Sequence, residues 1–408
     1  MTSTHEHAVV VGGGHAAGQL CASLRGGGWR GGITVIGEEP APPYQRPPLS
    51  KAYLAGELDE DRLYVRPREF YDEADIAMRL GTRAEAIDLE GARVATTTGD
   101  VPYDRLVLAT GTRPRKLSCE GAGLSGIGYV RTLADVDALR ADFASARRLV
   151  VVGAGYIGLE VAAVARKRGL AVTVIEAQPR VLARVTGPDV SGYYEALHRA
   201  RGVDLRLGAG VAGFEGADGE VTGVRLAGGG TVPADLVVVG IGVVPNQEIA
   251  AEAGIACAGG IVVDEHCRTS APHVLAVGDV TEHPSVYGRA VRLESVHNAL
   301  EQAKTAAATL CGKTAPYAQV PWFWSDQYAV KLQTVGLLEG HDAVVVRGQP
   351  NPADGAPGFC VFYLQGGRLL AADAVNDPAS FMASKKLAGR EVDAGGLADP
   401  GTPLRSLF

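Results

Sequence analysis

Two short valine runs, Val9–Val11 and Val150–Val152, each break abruptly into glycine. An uninterrupted apolar run of this length suits a strand buried on both faces, as in a parallel sheet, better than a half-exposed strand that alternates. Behind the first run, Gly12-Gly13-Gly14-His15-Ala16-Ala17 leads into a helical stretch, Gln19 to Leu24, and a second strand, Ile33 to Ile36. Behind the second, Gly153-Ala154-Gly155-Tyr156-Ile157-Gly158 leads into a helix from about Ile157 to Lys167 and a strand, Ala171 to Ile175. Further buried strands are expected in 103–111, 235–246 and 274–279, each closing on a turn: Ala109-Thr110-Gly111, Gly240-Ile241-Gly242 and Gly278-Asp279. Beyond these the runs shorten. Ala343 to Arg347, Phe359 to Leu364 and Leu369 to Asp373 predict an antiparallel sheet, with a terminal helix near Pro378 to Leu387. The expected fold is α/β, with two Rossmann-like dinucleotide-binding domains and a C-terminal α+β domain.

The two strand–glycine–helix units have the spacing of dinucleotide fingerprints. The first glycine permits a tight turn, and the second lets backbone approach a pyrophosphate at the helix N-terminus. The third small residue allows close helix–strand packing; it is Gly158 in the second copy and Ala17 in the first. An acidic residue after the second strand is suited to the ribose hydroxyls. Glu176 fills that place in the second unit and Glu38 in the first, where Glu39 is the alternative. One chain with two such units is expected to hold a flavin and a nicotinamide dinucleotide. Glu176 favours NADH, since two like charges at contact cost up to about 4 kcal/mol at an effective dielectric near 20. Arg180 and Arg184 follow closely enough that NADP is disfavoured rather than excluded.

Composition narrows the picture. The chain has 408 residues, 46% hydrophobic and 21% charged, enough for two or three domains. No apolar stretch reaches membrane-spanning length, and the start lacks the basic character of a signal peptide, so a soluble cytoplasmic protein is expected. A net charge of −7 argues against bulk nucleic-acid binding. The six cysteines include no CxxC, which excludes the vicinal dithiol used by many two-dinucleotide flavoenzymes, and their spacing suggests neither zinc nor an iron–sulfur cluster. No metal is expected; His5 and His7 read as part of a terminal tail. Neither GxSxG nor HExxH occurs.

The order of segments resembles the pyridine nucleotide-disulfide oxidoreductase superfamily, with a glutathione-reductase-like arrangement. More narrowly it resembles the FAD-dependent ferredoxin reductases of bacterial oxygenase systems. The narrower resemblance rests on segments 47–56 (Pro47-Pro48-Leu49-Ser50-Lys51), 129–133, 155–160, 294–296, 298–303 and 321–328 (Pro321-Trp322-Phe323-Trp324-Ser325-Asp326-Gln327-Tyr328). It implies a discontinuous FAD domain of 1–112 and 243–322, an NADH domain of 113–242, and a C-terminal domain of 323–408 packing near the flavin. Gly12, Gly14, His15, Ala16, Ala17, Glu38, Arg46, Ala109, Thr110, Gly111, Arg131, Asp279, Val296 and either Trp322 or Trp324 would contact FAD. Gly153, Gly155, Tyr156, Ile157, Gly158, Glu176 and Gly242 would contact NADH. Lys51 would stand beside the reactive flavin edge, where a cation stabilises the reduced flavin, and Glu160 near the nicotinamide, paired with Lys51. Flavin, stable at three oxidation levels, would convert one hydride into two single electrons for a 2Fe-2S ferredoxin serving a cytochrome P-450 or a ring-hydroxylating oxygenase. Arg66, Lys304, Lys385 and Lys386 are candidate docking residues for that acidic partner. Alternatives are a rubredoxin reductase, an NADH oxidase built around a cysteine such as Cys21 or Cys267, and an apoptosis-inducing-factor-like flavoprotein.

Overall fold

The computed structural model describes residues 6–407, so His5 lies outside the described residues. The chain divides into two compact units. The first comprises 1–47, 58–113 and 243–319; the second comprises 48–57, 114–242 and 320–408. The short segment carrying Lys51 thus groups with the second unit.

The first unit is built on a parallel five-stranded sheet. Its order is Val274–Ala276, Arg105–Leu108, His7–Val11, Gly32–Ile36, Ile76–Arg79. The first valine run is the central strand, which explains why it carries no polar alternation. The helix after it spans His15–Gly27, longer at both ends than the apolar pattern suggests. Gly18 obscured it: glycine disfavours helix, but a Cβ there would sit 3.0 Å from Pro43, so small size is needed for packing. This helix and the alanine-rich helix Val296–Leu310 close the apolar core over one face of the sheet. An antiparallel sheet of Ala84–Asp88, Arg93–Thr96 and Val101–Pro102 supplies Ile87, Val94 and Val101 to the core on the other.

The second unit repeats the plan. Its parallel sheet runs Asp204–Leu207, Ala171–Glu176, Arg148–Val152, Leu236–Val239, Ile127–Gly128, with the fingerprint helix Tyr156–Lys167 behind the central strand. A separate antiparallel sheet, Trp322–Gln327, Val330–Gly336, Arg368–Val375, Phe359–Gln365, Ala343–Arg347, carries the C-terminal core, which the helix Pro378–Leu387 covers. Three strands of it and the helix match the sequence pattern. The hairpin 322–336 does not announce itself, because its aromatic and polar residues do not alternate cleanly.

One contact recurs in both units. Gly12 (φ +125°) sits so close to the end of the neighbouring strand that a Cβ would lie 2.1 Å from Ala109 O. Gly153 (φ +103°) meets Gly240 O in the same way, at 2.3 Å. The glycine turns and the Ala-Thr-Gly and Gly-Ile-Gly turns are therefore halves of the same steric device. The copies differ at the third small residue. A Cβ at Gly158 would stand 2.1 Å from Gly153 O, whereas Ala17 is accommodated, fully buried.

A buried carboxylate lies in the C-terminal sheet. Asp373 accepts the Tyr363 hydroxyl at 2.8 Å, and that hydroxyl accepts Gly187 N–H at 2.9 Å. Burial raises the Asp373 pKa from 3.8 to about 7.

Two outcomes follow from this packing. Gly158→Ala should destabilise the protein by about 1–3 kcal/mol, measured by chemical denaturation, whereas Ala17→Gly should cost under about 1 kcal/mol; equal effects would contradict the closer approach in the second copy. Native Asp373 keeps a proton that the unfolded chain has released, so its contribution is full below about pH 4 and is lost as pH rises to about 7. The stability difference between the native protein and Asp373→Asn should change across that interval and level off above it. A constant difference from pH 4 to 8 would show that Asp373 is ionised in the fold.

Candidate functional site

In parallel α/β sheets, ligands bind beyond the C-terminal strand ends at a switch in strand order. In the first unit that edge carries the Gly12–Gly14 turn, the Ala109–Gly111 turn, Glu38 and the Gly278-Asp279 turn. The helix His15–Gly27 has no acidic residue in its first turn, and its N-cap is Gly14, where a Cβ would meet nothing within 4 Å. A helix N-terminus with no carboxylate of its own and open space before it is suited to a phosphate. Ala16, Gly278 and Ala299 meet so closely that a Cβ on Gly278 would lie 3.3 Å from Ala16 Cβ. Gln302 clamps this turn from the helix Val296–Leu310, its Oε1 accepting Gly278 N–H at 2.6 Å and the Thr281 hydroxyl at 2.9 Å. Ser295 caps the same helix through Asn298 N–H, placing Val296 at its first position.

The two candidate carboxylates of the first unit separate cleanly. Glu39 is committed: it accepts the Tyr44 hydroxyl at 2.5 Å and Arg46 at 2.7 Å. Glu38 is exposed at the strand end. Arg46 also feels the Asp279 carboxylate, and although burial opposes its charge, Tyr44, Glu39 and Asp279 together raise its pKa. The structure thus brings Arg46 and Asp279 into one electrostatic neighbourhood. Thr110 is tied to Asn246 by a reciprocal pair, its hydroxyl donating to Asn246 O at 2.7 Å and its carbonyl accepting Asn246 Nδ2 at 2.9 Å.

The second cradle is similar and more constrained. Gly155 is an open N-cap with no acidic residue behind it, and Ile157, in the fingerprint, keeps a large apolar side chain 42% exposed. Glu176 does more than the sequence suggests. Its Oε2 accepts Ala154 N–H at 2.7 Å and its Oε1 accepts Gln178 N–H at 2.8 Å, so it locks the fingerprint turn. A carboxylate oxygen retains lone pairs for a ribose hydroxyl after each of these bonds. Arg180 is turned inward, donating to Thr186 O, Ala183 O and the Ser191 hydroxyl. The guanidinium of Arg184 lies near Gly242, 3.4 Å from where a Cβ there would stand.

Between the second fingerprint helix and segment 48–57, both within the second unit, lies a buried charge. Glu160, 3% exposed, accepts Lys51 Nζ at 2.8 Å and the Ser50 hydroxyl at 2.5 Å through Oε2, and the Ser325 hydroxyl at 2.6 Å through Oε1. Lys51 and Glu160 were expected to pair; Ser50 and Ser325 were not singled out, although both stand inside motifs already noted. Tyr156 stacks on Phe323, ring centroids 4.6 Å apart and planes at 29°. Phe323 continues to Trp324 at 6.2 Å and Trp324 to Trp322 at 5.7 Å. Trp322 then meets Phe381 at 5.7 Å, and the Lys385 ammonium lies 4.9 Å above the Trp322 ring. Phe323 is the aromatic missed in sequence. Arg131 is half-buried and immediately precedes Thr132, which closes a capping box with Asp135.

The remaining candidates resolve in different ways. Lys304 is engaged by Glu301 at 2.6 Å, and the Arg66 guanidinium lies 5.8 Å over the Phe70 ring. Cys21 and Cys267 are core residues. Burial pushes the Cys21 thiol up to about 12 and the Cys267 thiol higher still, so neither offers a reactive thiolate. All six cysteines are free. Among the described residues no His, Cys, Asp or Glu cluster gathers as a metal site, and no helix is long and apolar enough to cross a membrane.

Comparison with known proteins agrees with this geometry. Residues 6–303 match the pyridine nucleotide-disulphide oxidoreductase family, and 322–408 match a reductase C-terminal family. The chain is 45% identical over 415 residues to putidaredoxin reductase of Pseudomonas putida, covering 100% of this chain and 97% of the relative. It is also 45% identical to a ferredoxin–NAD(P)(+) reductase of a Sphingomonas species, covering 100% of this chain and 99% of that protein. The crystal structure of the covalent putidaredoxin reductase–putidaredoxin complex superposes with a TM-score of 0.94 at 46% identity, covering 98% of this chain and 97% of that one. Two glycine-rich strand–turn–helix units on parallel sheets, a separate C-terminal sheet and these matches together place the chain in the pyridine nucleotide-disulphide oxidoreductase family.

Proposed function

We propose that this protein is an FAD-dependent ferredoxin reductase, which takes a hydride from NADH and delivers single electrons to a 2Fe-2S ferredoxin serving a cytochrome P-450 or a ring-hydroxylating oxygenase. The observation that carries the reading is the buried Lys51–Glu160 pair beside the second fingerprint, in a chain that has two nucleotide cradles and no dithiol. The relatives named above, a ferredoxin–NAD(P)(+) reductase and a putidaredoxin reductase, support it.

FAD is assigned to the first cradle: Gly12, Gly14, His15, Ala16 and Ala17 around the pyrophosphate, Glu38 on the ribose, and Arg46, Ala109, Thr110, Gly111, Arg131, Asp279 and Val296 along the rest. NADH is assigned to the second, with Gly153, Gly155, Tyr156, Ile157, Gly158, Glu176 and Gly242. The bound flavin supplies the conversion between a hydride and two single electrons. The protein's own residues supply charge and position. Lys51 Nζ is an ammonium held in one orientation by Glu160, so it faces developing negative charge without having to reorganise. Ser50 and Ser325 compensate the carboxylate that Lys51 alone would leave partly unsatisfied. The preference for NADH rests on Glu176 and on Arg180, whose guanidinium is committed to its own loop and does not serve a 2′-phosphate. Tyr156, Phe323 and Trp324 form a continuous aromatic row that Trp322 extends, and Trp322 or Trp324 is assigned to pack against the flavin.

This reading divides the chain into an FAD domain of 1–112 and 243–322, an NADH domain of 113–242 and a C-terminal domain of 323–408. Docking of the acidic ferredoxin is assigned to Lys385 and Lys386, supported by Arg66 and Lys304. Lys304 contributes least, since Glu301 already offsets its charge.

Anaerobic mixing tests the reading. NADH should bleach the flavin rapidly, and a 2Fe-2S ferredoxin should restore its colour; bleaching reversed by oxygen but not by ferredoxin would overturn it. Lys51→Met and Glu160→Gln should each slow flavin reduction by about 10- to 100-fold in stopped flow. Raising salt from about 50 to 500 mM should slow ferredoxin reduction severalfold while leaving NADH oxidation by a small neutral acceptor unchanged. Equal sensitivity of both reactions would remove the electrostatic docking model.

A further inference from the structure

The hydrogen bonds at Glu160 do not end at its immediate neighbours. Ser325 Oγ accepts Gln327 Nε2 at 3.2 Å, and Gln327 Oε1 lies 2.8 Å from His198 Nε2. The Tyr328 hydroxyl stands 3.4 Å from His198 Nδ1. Ser325, Gln327 and His198 are each wholly buried. They come from the hairpin strand Trp322–Gln327 and the helix Pro188–Ala200, and all belong to the second unit with Glu160 and Lys51.

The chemistry of the groups gives this string one direction. An ionised carboxylate only accepts, so the Ser325 hydroxyl donates to Glu160. One of its two lone pairs receives the Gln327 amide N–H, which turns the Gln327 carbonyl toward His198. His198 must then carry its proton on Nε2, leaving Nδ1 as an acceptor facing Tyr328. Burial keeps the imidazole neutral, its pKa pushed down to about 4 against the hydrogen bond it donates to Gln327. Every dipole thus points its positive end at Glu160. The string is not a proton conduit, because the Gln327 amide neither gains nor loses protons in this range. Nor does it have a clear stabilising purpose: fully satisfied buried polar groups are worth about as much as apolar groups of the same shape.

We infer that Ser325, Gln327 and His198 form a one-way donor chain that fixes the orientation of the Glu160 carboxylate, and through it Lys51, for hydride transfer. The three are positioning residues; none touches the reacting atoms. The inference rests on the reading of Lys51 and Glu160 as the reaction site.

The test uses the flavin-loaded protein and two readouts. In stopped flow, Ser325→Ala should lower the limiting rate of flavin reduction by NADH about tenfold while NADH affinity changes less than about twofold. Gln327→Leu should lower that rate by a smaller factor and His198→Phe by a smaller one again. Independently, ¹⁵N spectra of the histidine rings in the native protein should show His198 neutral and protonated on Nε2 between pH 5 and 8, and Glu160→Gln should shift its ring nitrogens from two side chains away. The inference is overturned if Ser325→Ala and Gln327→Leu reduce flavin within twofold of the native rate while Glu160→Gln is slow. It is equally overturned if His198 carries its proton on Nδ1, a result that needs no variant to fold. If Glu160→Gln is itself as fast as the native protein, the reaction-site assignment fails first, which separates the two failures.

Discussion

A carboxylate cannot leave water uncompensated, and the second unit is organised around that requirement. Burying an ion costs several kcal/mol even after relaxation, so Glu160 must gather donors from whatever segments reach it. They come from two segments, Ser50 and Lys51 from the ten-residue segment 48–57 and Ser325 from the C-terminal hairpin, and Ser325 is backed in turn by Gln327 and His198. Sequence separations of 110 and 165 residues close on one side chain. The grouping of 48–57 with the second unit is the same fact seen at the level of the backbone.

The two cradles show how far a repeated pattern can be taken. Valine runs and glycine spacing made the central strands and helices legible, because burial on both faces and backbone crowding leave few residue types that fit. The neighbouring turns were legible as motifs but not as partners of those glycines; only the packing of Gly12 on Ala109 O and of Gly153 on Gly240 O explains why they recur together. Where apolar periodicity is weak, legibility fails. Helix His15–Gly27 was shortened by Gly18, and the hairpin 322–336 hid behind aromatic residues facing both ways. The polar string through Gln327 and His198 lay beyond reach altogether, since nothing local distinguishes a satisfied buried histidine from an exposed one.

Carboxylates were the least readable residues. Glu38 and Glu39 are adjacent and identical in type, yet one is exposed and the other is spent on Tyr44 and Arg46. Glu176 has a structural duty toward Ala154 and Gln178 in addition to any ligand. Motif position selected the segment in each case, and hydrogen-bond accounting distinguished the carboxylate that the fold itself uses from the one it leaves exposed. Arg180 makes the same point for cations: proximity in sequence suggested a phosphate site, while three of its bonds are spent on its own loop and the helix that follows.

The place of Ser325 bears on how such proteins can be recombined. A family boundary falls just before the C-terminal sheet, and a natural crossover for chimaeras would be drawn there. Yet Ser325 and Gln327 lie only a few residues beyond it and face a helix and a histidine that belong to the preceding portion. The unit that has to move together is therefore not a domain. It is a set of six side chains distributed over four segments, and a graft that moves the sheet without matching the helix would leave a buried anion with an unmatched socket.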